Sequence, residues 1–233
     1  MNKKTILLTA AIQILLTGCA AYYPQTVDVP LIQGKGDMRI DAGIFLLPKI
    51  DNTEDEDDES GLVMLSGVHG TFTAGLTDHF AVQTYLSTDM FRVYIQGALG
   101  LYNRFENNAV IEMYSGFGYG SGAWVSEDSG DTTPNHYSLV FTQLNWGRSN
   151  LGKRHIDYGL GLKGGYIFAN SSASTDGWLV EPTVFFRFGS NKVKFNTKIN
   201  YMWTNTLVEN KNLYFPVSVS FGVNFHAGKR FHK

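Results

Sequence analysis

The stretch at 214–226, YFPVSVSFGVNFH, decides the fold. Val217, Val219, Phe221, Val223 and Phe225 share one parity, and Ser218, Ser220, Gly222, Asn224 and His226 share the other. Successive side chains of a strand point to opposite faces, so this strand has one apolar face and one small, polar face. A soluble sandwich turns the apolar face inward. A membrane barrel turns it outward to lipid.

The same alternation runs upstream, and about ten strands follow residue 37. Val193, Phe195, Ile199, Tyr201 and Trp203 oppose Lys194, Asn196, Lys198 and Asn200. In 178–188, Trp178, Val180, Val184, Phe186 and Phe188 oppose Glu181, Thr183, Phe185 and Arg187. In 156–168, Leu160, Leu162, Tyr166 and Phe168 oppose Asp157, Gly159, Gly161 and Lys163. The polar parity of 92–102 carries Arg92, Tyr94 and Gln96, and that of 109–124 carries Glu112 and several glycines. The stretch 138–147 alternates least cleanly: Val140, Leu144 and Trp146 share a face, but Leu139 and Phe141 fall on the polar side.

Length and loops favour the barrel. Several strands reach ten to fourteen residues, enough for a tilted membrane crossing. Aromatic residues gather at the strand ends: Trp124, Phe168, Trp178, Trp203 and Tyr214 at one rim, Phe80, Tyr158, Phe188, Phe195 and Phe225 at the other. Short turns at 77–79, 106–108, 149–154 and 190–191 alternate with longer loops at 51–60, 127–135, 170–176 and 204–212. Residues 88–89 make a short turn where a long loop belongs. In a barrel of this kind the short turns and both termini face the periplasm. The pattern resembles that of small bacterial outer-membrane β-barrel proteins. That resemblance implies an all-β, antiparallel up-and-down transmembrane barrel over 37–228, with 229–233 as a tail. The chain departs from the family's usual C-terminal aromatic: eight residues follow Phe225, and Lys233 is last.

Residues 1–18 read as a signal segment: Lys3 and Lys4 precede a short apolar run. Leu16-Thr17-Gly18-Cys19 resembles the lipobox of bacterial lipoproteins, which implies cleavage before Cys19 and lipid, such as palmitate, on it. Ala20, rather than an acid, then favours the outer membrane. Residues 19–36 are expected to be a tether, reaching roughly 55 Å if extended, with Leu31 and Ile32 apolar enough to pack on the barrel. Cys19 is the sole cysteine, so an internal disulfide is excluded. Net charge is −2, which gives no nucleic-acid footprint.

The remaining motifs are weak. The acidic run at 51–59 lacks the glycine and alternation of a Ca²⁺ loop and reads as a solvated loop. His136 lies near Asp131 and Ser138, but no nucleophile elbow or metal-spaced His pair accompanies it. His69 and Arg92 read as interior polar residues. GFGYG and GLGLKGG have no following helix and read as strand glycines making room inside a narrow barrel. The expectation is an outer-membrane lipoprotein without enzyme activity, cofactor, metal or open pore. It would meet lipid, and lipopolysaccharide or another envelope protein, through its outer loops. The alternative is a lipid-anchored, periplasm-facing soluble barrel or sandwich that binds a small apolar ligand or an envelope partner.

Overall fold

The computed structural model describes residues 27–51, 61–89, 92–125, 132–151, 155–169, 176–205, 213–214 and 216–228. Its strands are β1 (Met38–Asp51), β2 (Gly61–Gly75), β3 (Phe80–Asp89), β4 (Arg92–Arg104), β5 (Ala109–Val125), β6 (Thr132–Leu151), β7 (Ile156–Ala169), β8 (Gly177–Gly189), β9 (Val193–Tyr201), β10 (Trp203–Thr204), β11 (Leu213–Tyr214) and β12 (Val217–Ala227). Each pairs antiparallel with its neighbour, and β12 returns to pair with β1 as well as β9, which closes the wall. The closed antiparallel barrel has ten staves, because β9 with β10 forms one and β11 with β12 another. Pro216 lies in the second break. It has no N–H to give the ladder, and its carbonyl accepts from the Met202 amide at 2.6 Å.

Inside and outside are reversed relative to a soluble protein. Leu99 and Phe195 are each 58% exposed on the outer face, and Ile199 is 51% exposed. Asn196 is 2% exposed, and Ser220 and Lys198 are fully buried on the inner face. A soluble domain rarely leaves such a continuous apolar surface to water. The soluble alternative required the apolar parity to face a protein core, and the wall has it facing out. Outward aromatics also meet near the rims. Trp178 and Trp203 stack edge-on at 5.7 Å at the long-loop end, and Phe188 lies 5.8 Å from Phe195 at the short-turn end. The side chains of Trp124 and Tyr214 lie outside the described residues.

The expectation for the 127–135 loop changes. β6 begins at Thr132 and pairs with β5 up to Val125, so the loop expected at 127–135 gives up its second half to strand. Thr132 and Thr133 are β-branched and suit the extended ladder. Leu139 and Phe141, the parity conflict of that strand, do point inward and are buried there. The turns at 77–79, 106–108 and 190–191 behave as read, whereas residues 149–151 of the turn expected at 149–154 belong to β6, and 88–89, expected as a turn, end β3. In the turn after β4, Asn108 takes φ 59°, a left-handed value that asparagine tolerates better than most residues.

The lumen is filled by the chain itself. Residues 27–32, part of the expected tether, are all buried inside the barrel. From there the chain descends to the short-turn end, where the Gly36 amide donates to the Gly75 carbonyl at 2.8 Å, and enters β1. The sequence VDVPLI is too apolar for a free tether, and the lumen supplies both apolar contacts and charge for its single acid.

Candidate functional site

The site is the interior of the barrel, and the luminal segment is its centre. Asp28 Oδ1 accepts from Arg187 Nη2 at 3.1 Å and Lys198 Nζ at 2.9 Å. The Asp28 carbonyl accepts from Gln143 Nε2 at 2.7 Å and Gln83 Nε2 at 3.5 Å. The Val27 amide donates to Asn200 Oδ1 at 3.3 Å, and the Ile32 amide to Glu112 Oε1 at 2.7 Å. Gln33 Nε2 donates to Ser149 Oγ at 2.8 Å. Strands β3, β5, β6, β8 and β9 thus all hold one short segment. Buried backbone needs such partners, because an unmade hydrogen bond away from water costs about 1–3 kcal/mol.

Apolar contacts fix the segment's position. Val29 and Leu31 pack with Val110 and Phe185. Glycines open the space: a Cβ at Gly161 would lie 3.0 Å from Val29 Cγ2, and one at Gly147 would lie 2.9 Å from Leu31 Cδ2. Leu31 has φ 57°, an uncommon conformation for a non-glycine residue. Its buried side chain and a 3.1 Å bond from Arg39 Nη2 to its carbonyl hold it there.

A second set of charges lines the wall. Lys198 Nζ also reaches Asp41 Oδ1 at 2.9 Å, and His69 Nε2 lies 3.3 Å from the same oxygen. Asn196 and Asn224 also donate to Asp41. Lys194 meets Asp157 at 2.5 Å, and Lys163 lies 3.7 Å from Glu181. Nearer the long-loop end, His69, Tyr85, Tyr94 and Tyr137 form a chain of ring contacts. Gly118 and Gly120 leave no room for a side chain beside Tyr94 and Tyr137. At the opposite rim Asp37 takes His226 Nε2 at 2.6 Å and the Gln33 amide at 2.7 Å.

The sequence candidates separate in space. Cys19, the proposed lipid attachment residue, lies outside the described residues, as do Asp131 and all but Asp51 of the acidic run. His136 stands on the outer wall, where its Nδ1 is 3.0 Å from the Tyr119 hydroxyl, whereas His69 points into the lumen. The wall therefore separates these two histidines. Arg92 is half-buried on the luminal parity. Among the described residues, no group of three or more His, Cys, Asp or Glu could hold a metal ion. The sequence placed the inward charges of β5 and β7–β9 but missed their partner Asp28.

No protein-family model and no curated protein matches the chain. Among solved structures, the β domain of the Bordetella autotransporter BrkA is 12% identical, with a TM-score of 0.49 over 83% of this chain and 100% of that one. The outer membrane protein OprG from Pseudomonas aeruginosa is 12% identical, with a TM-score of 0.38 over 86% and 100%. The outer membrane protease OmpT from Escherichia coli is 9% identical, with a TM-score of 0.41 over 82% and 97%. The closed antiparallel wall, with its apolar outside and charged inside, gives this chain the fold of a transmembrane β-barrel of the outer-membrane type.

Proposed function

We propose that the protein is a lipid-anchored outer-membrane barrel, closed to flow by its own N-terminal segment, that acts through its long-loop end. Its role is structural or interaction-based, with lipopolysaccharide or another envelope protein as the partner. The observation that carries this reading is the luminal segment, clamped by Asp28 between Arg187 and Lys198. A ten-stranded barrel is only slightly wider than one that side chains fill, so one extended segment occupies most of its bore. An enzyme role has no support in the histidines, since His69 and His136 face opposite sides of the wall. Lipidation rests on Leu16-Thr17-Gly18-Cys19 behind the basic, apolar leader. Two measurements test the reading. Purified protein in a planar bilayer should be silent, and large, stable, porin-like steps would defeat the closed lumen. A fatty-acid label should mark the wild type and not Cys19→Ser; equal labelling of both would remove the lipid anchor.

A further inference from the structure

Arg187 is fully buried at the clamp, and its hydrogen bonding is incomplete. Its guanidinium packs over the Phe185 ring, 4.6 Å from the centroid. Nη2 meets the Asp28 carboxylate at 3.1 Å, whereas Nε and Nη1 are buried with no hydrogen-bond partner. Asp157 stands across from Arg187 in the β7–β8 ladder, yet it meets Lys194 and Arg39 instead. Among the described residues, the carboxylate that Arg187 reaches is therefore Asp28. Asp28 gives the same oxygen to Lys198, which also holds Asp41. A guanidinium suits an anion that takes two parallel N–H groups at once, and Asp28 takes one.

The segment that carries Asp28 is held in a way that allows exchange. Among the described residues, 27–32 make no backbone-to-backbone hydrogen bond. Side chains hold them instead: Asn200 on the Val27 amide, Glu112 on the Ile32 amide and Arg39 on the Leu31 carbonyl. We propose that Arg187 and Lys198 form a binding site for a small free carboxylate, and that Asp28 fills it in the closed barrel as an internal competitor. The proposal rests on the closed lumen described above. A carboxylate takes the clamp whenever the segment lifts, and so shifts the population toward the lifted state. Its two oxygens satisfy the guanidinium fork, and the Gln83 and Gln143 amides, released from the Asp28 carbonyl, lie beside it. Phe185 and Val110, which pack on Val29 and Leu31 in the closed state, then offer apolar surface to a short aliphatic body.

The probe is sodium butyrate, with butyramide as its neutral analogue and sodium chloride at matched ionic strength. Amide exchange at Val27 and Ile32 is followed in the full-length protein in detergent micelles. Butyrate should raise exchange at both amides, by about tenfold at ten times its dissociation constant, and neither control should. Slow exchange that butyrate leaves unchanged overturns the proposal and spares the closed lumen. Fast exchange in chloride alone overturns the closed lumen and the proposal with it. Calorimetry gives a second measurement. Asp28→Asn, which lacks the competing carboxylate, should bind butyrate more tightly than the wild type. Arg187→Lys, which keeps the charge and loses the fork, should bind it more weakly. Equal affinity in all three proteins overturns the site, and the wild-type exchange result stands whether or not either variant folds.

Discussion

Asp28 offers its carboxylate to Arg187 and Lys198 and its carbonyl to Gln83 and Gln143. Replacing it leaves two buried cations facing a neutral group, although Lys198 keeps Asp41. Asp28→Asn should therefore lower stability by about 3 kcal/mol, read from the urea midpoint in detergent micelles. Adding Arg187→Gln should recover part of that loss; a purely additive result would mean the pair is not coupled. Asp37 gives a pH prediction. Burial pushes its carboxyl up, but Arg39 and His226 outweigh burial and hold it below the usual value. Folding then favours the ionised form. Its contribution is complete above about pH 4, the ordinary carboxylate value, and fades as pH falls through the lower folded value. Wild type should be more stable than Asp37→Asn near neutrality, and the two midpoints should converge in acid. A gap that persists unchanged into acid would show that the charge of Asp37 is not the source.

The strands test the orientation of the wall. Ile199 faces out and Asn196 faces in, three residues apart on β9. Ile199→Arg should cost about 2–4 kcal/mol of folding into bilayers, and Asn196→Arg less. The opposite ranking would put the apolar face against protein. The luminal segment has its own element-scale test: Gly161→Leu fills the space used by Val27 and Val29. Displacing the segment should turn a silent barrel into a conducting one in a planar bilayer, with the wall still folded. These strands were legible in sequence because a period of two survives wherever one face meets lipid and the other meets charge. It failed at Leu139 and Phe141, where the lumen itself is apolar, and at the 127–135 loop, where polar residues still extend the ladder. Residues 27–32 were illegible for another reason. Six residues broken by Pro30 show no period, and an apolar stretch reads alike whether it covers a domain or fills one.

At the scale of the molecule, barrel and filling share one network of buried charges. Among the described residues, the five buried strand cations meet four strand acids together with Asp28 and Asp37 from the segment before β1. That network was only half visible beforehand, because strands declare their inward charges while a separate segment does not announce which cavity it enters. The clamp also constrains the order of assembly. The Asp28–Lys198 bond joins residues 170 apart in sequence, and Val27 reaches Asn200 across 173. Contacts so distant in the chain form late, since each must first close a long loop. The segment emerges from synthesis before every stave, yet its partners on β3, β5, β6, β8 and β9 surround it only when the sheet has curled shut. Its full set of contacts therefore exists only once β12 has found β1. Amide exchange at Val27 and Ile32 should then fall in a single step with closure of the β1–β12 seam, not gradually as strands accumulate. On this view a segment made before any stave serves as the last check that the barrel has closed in register.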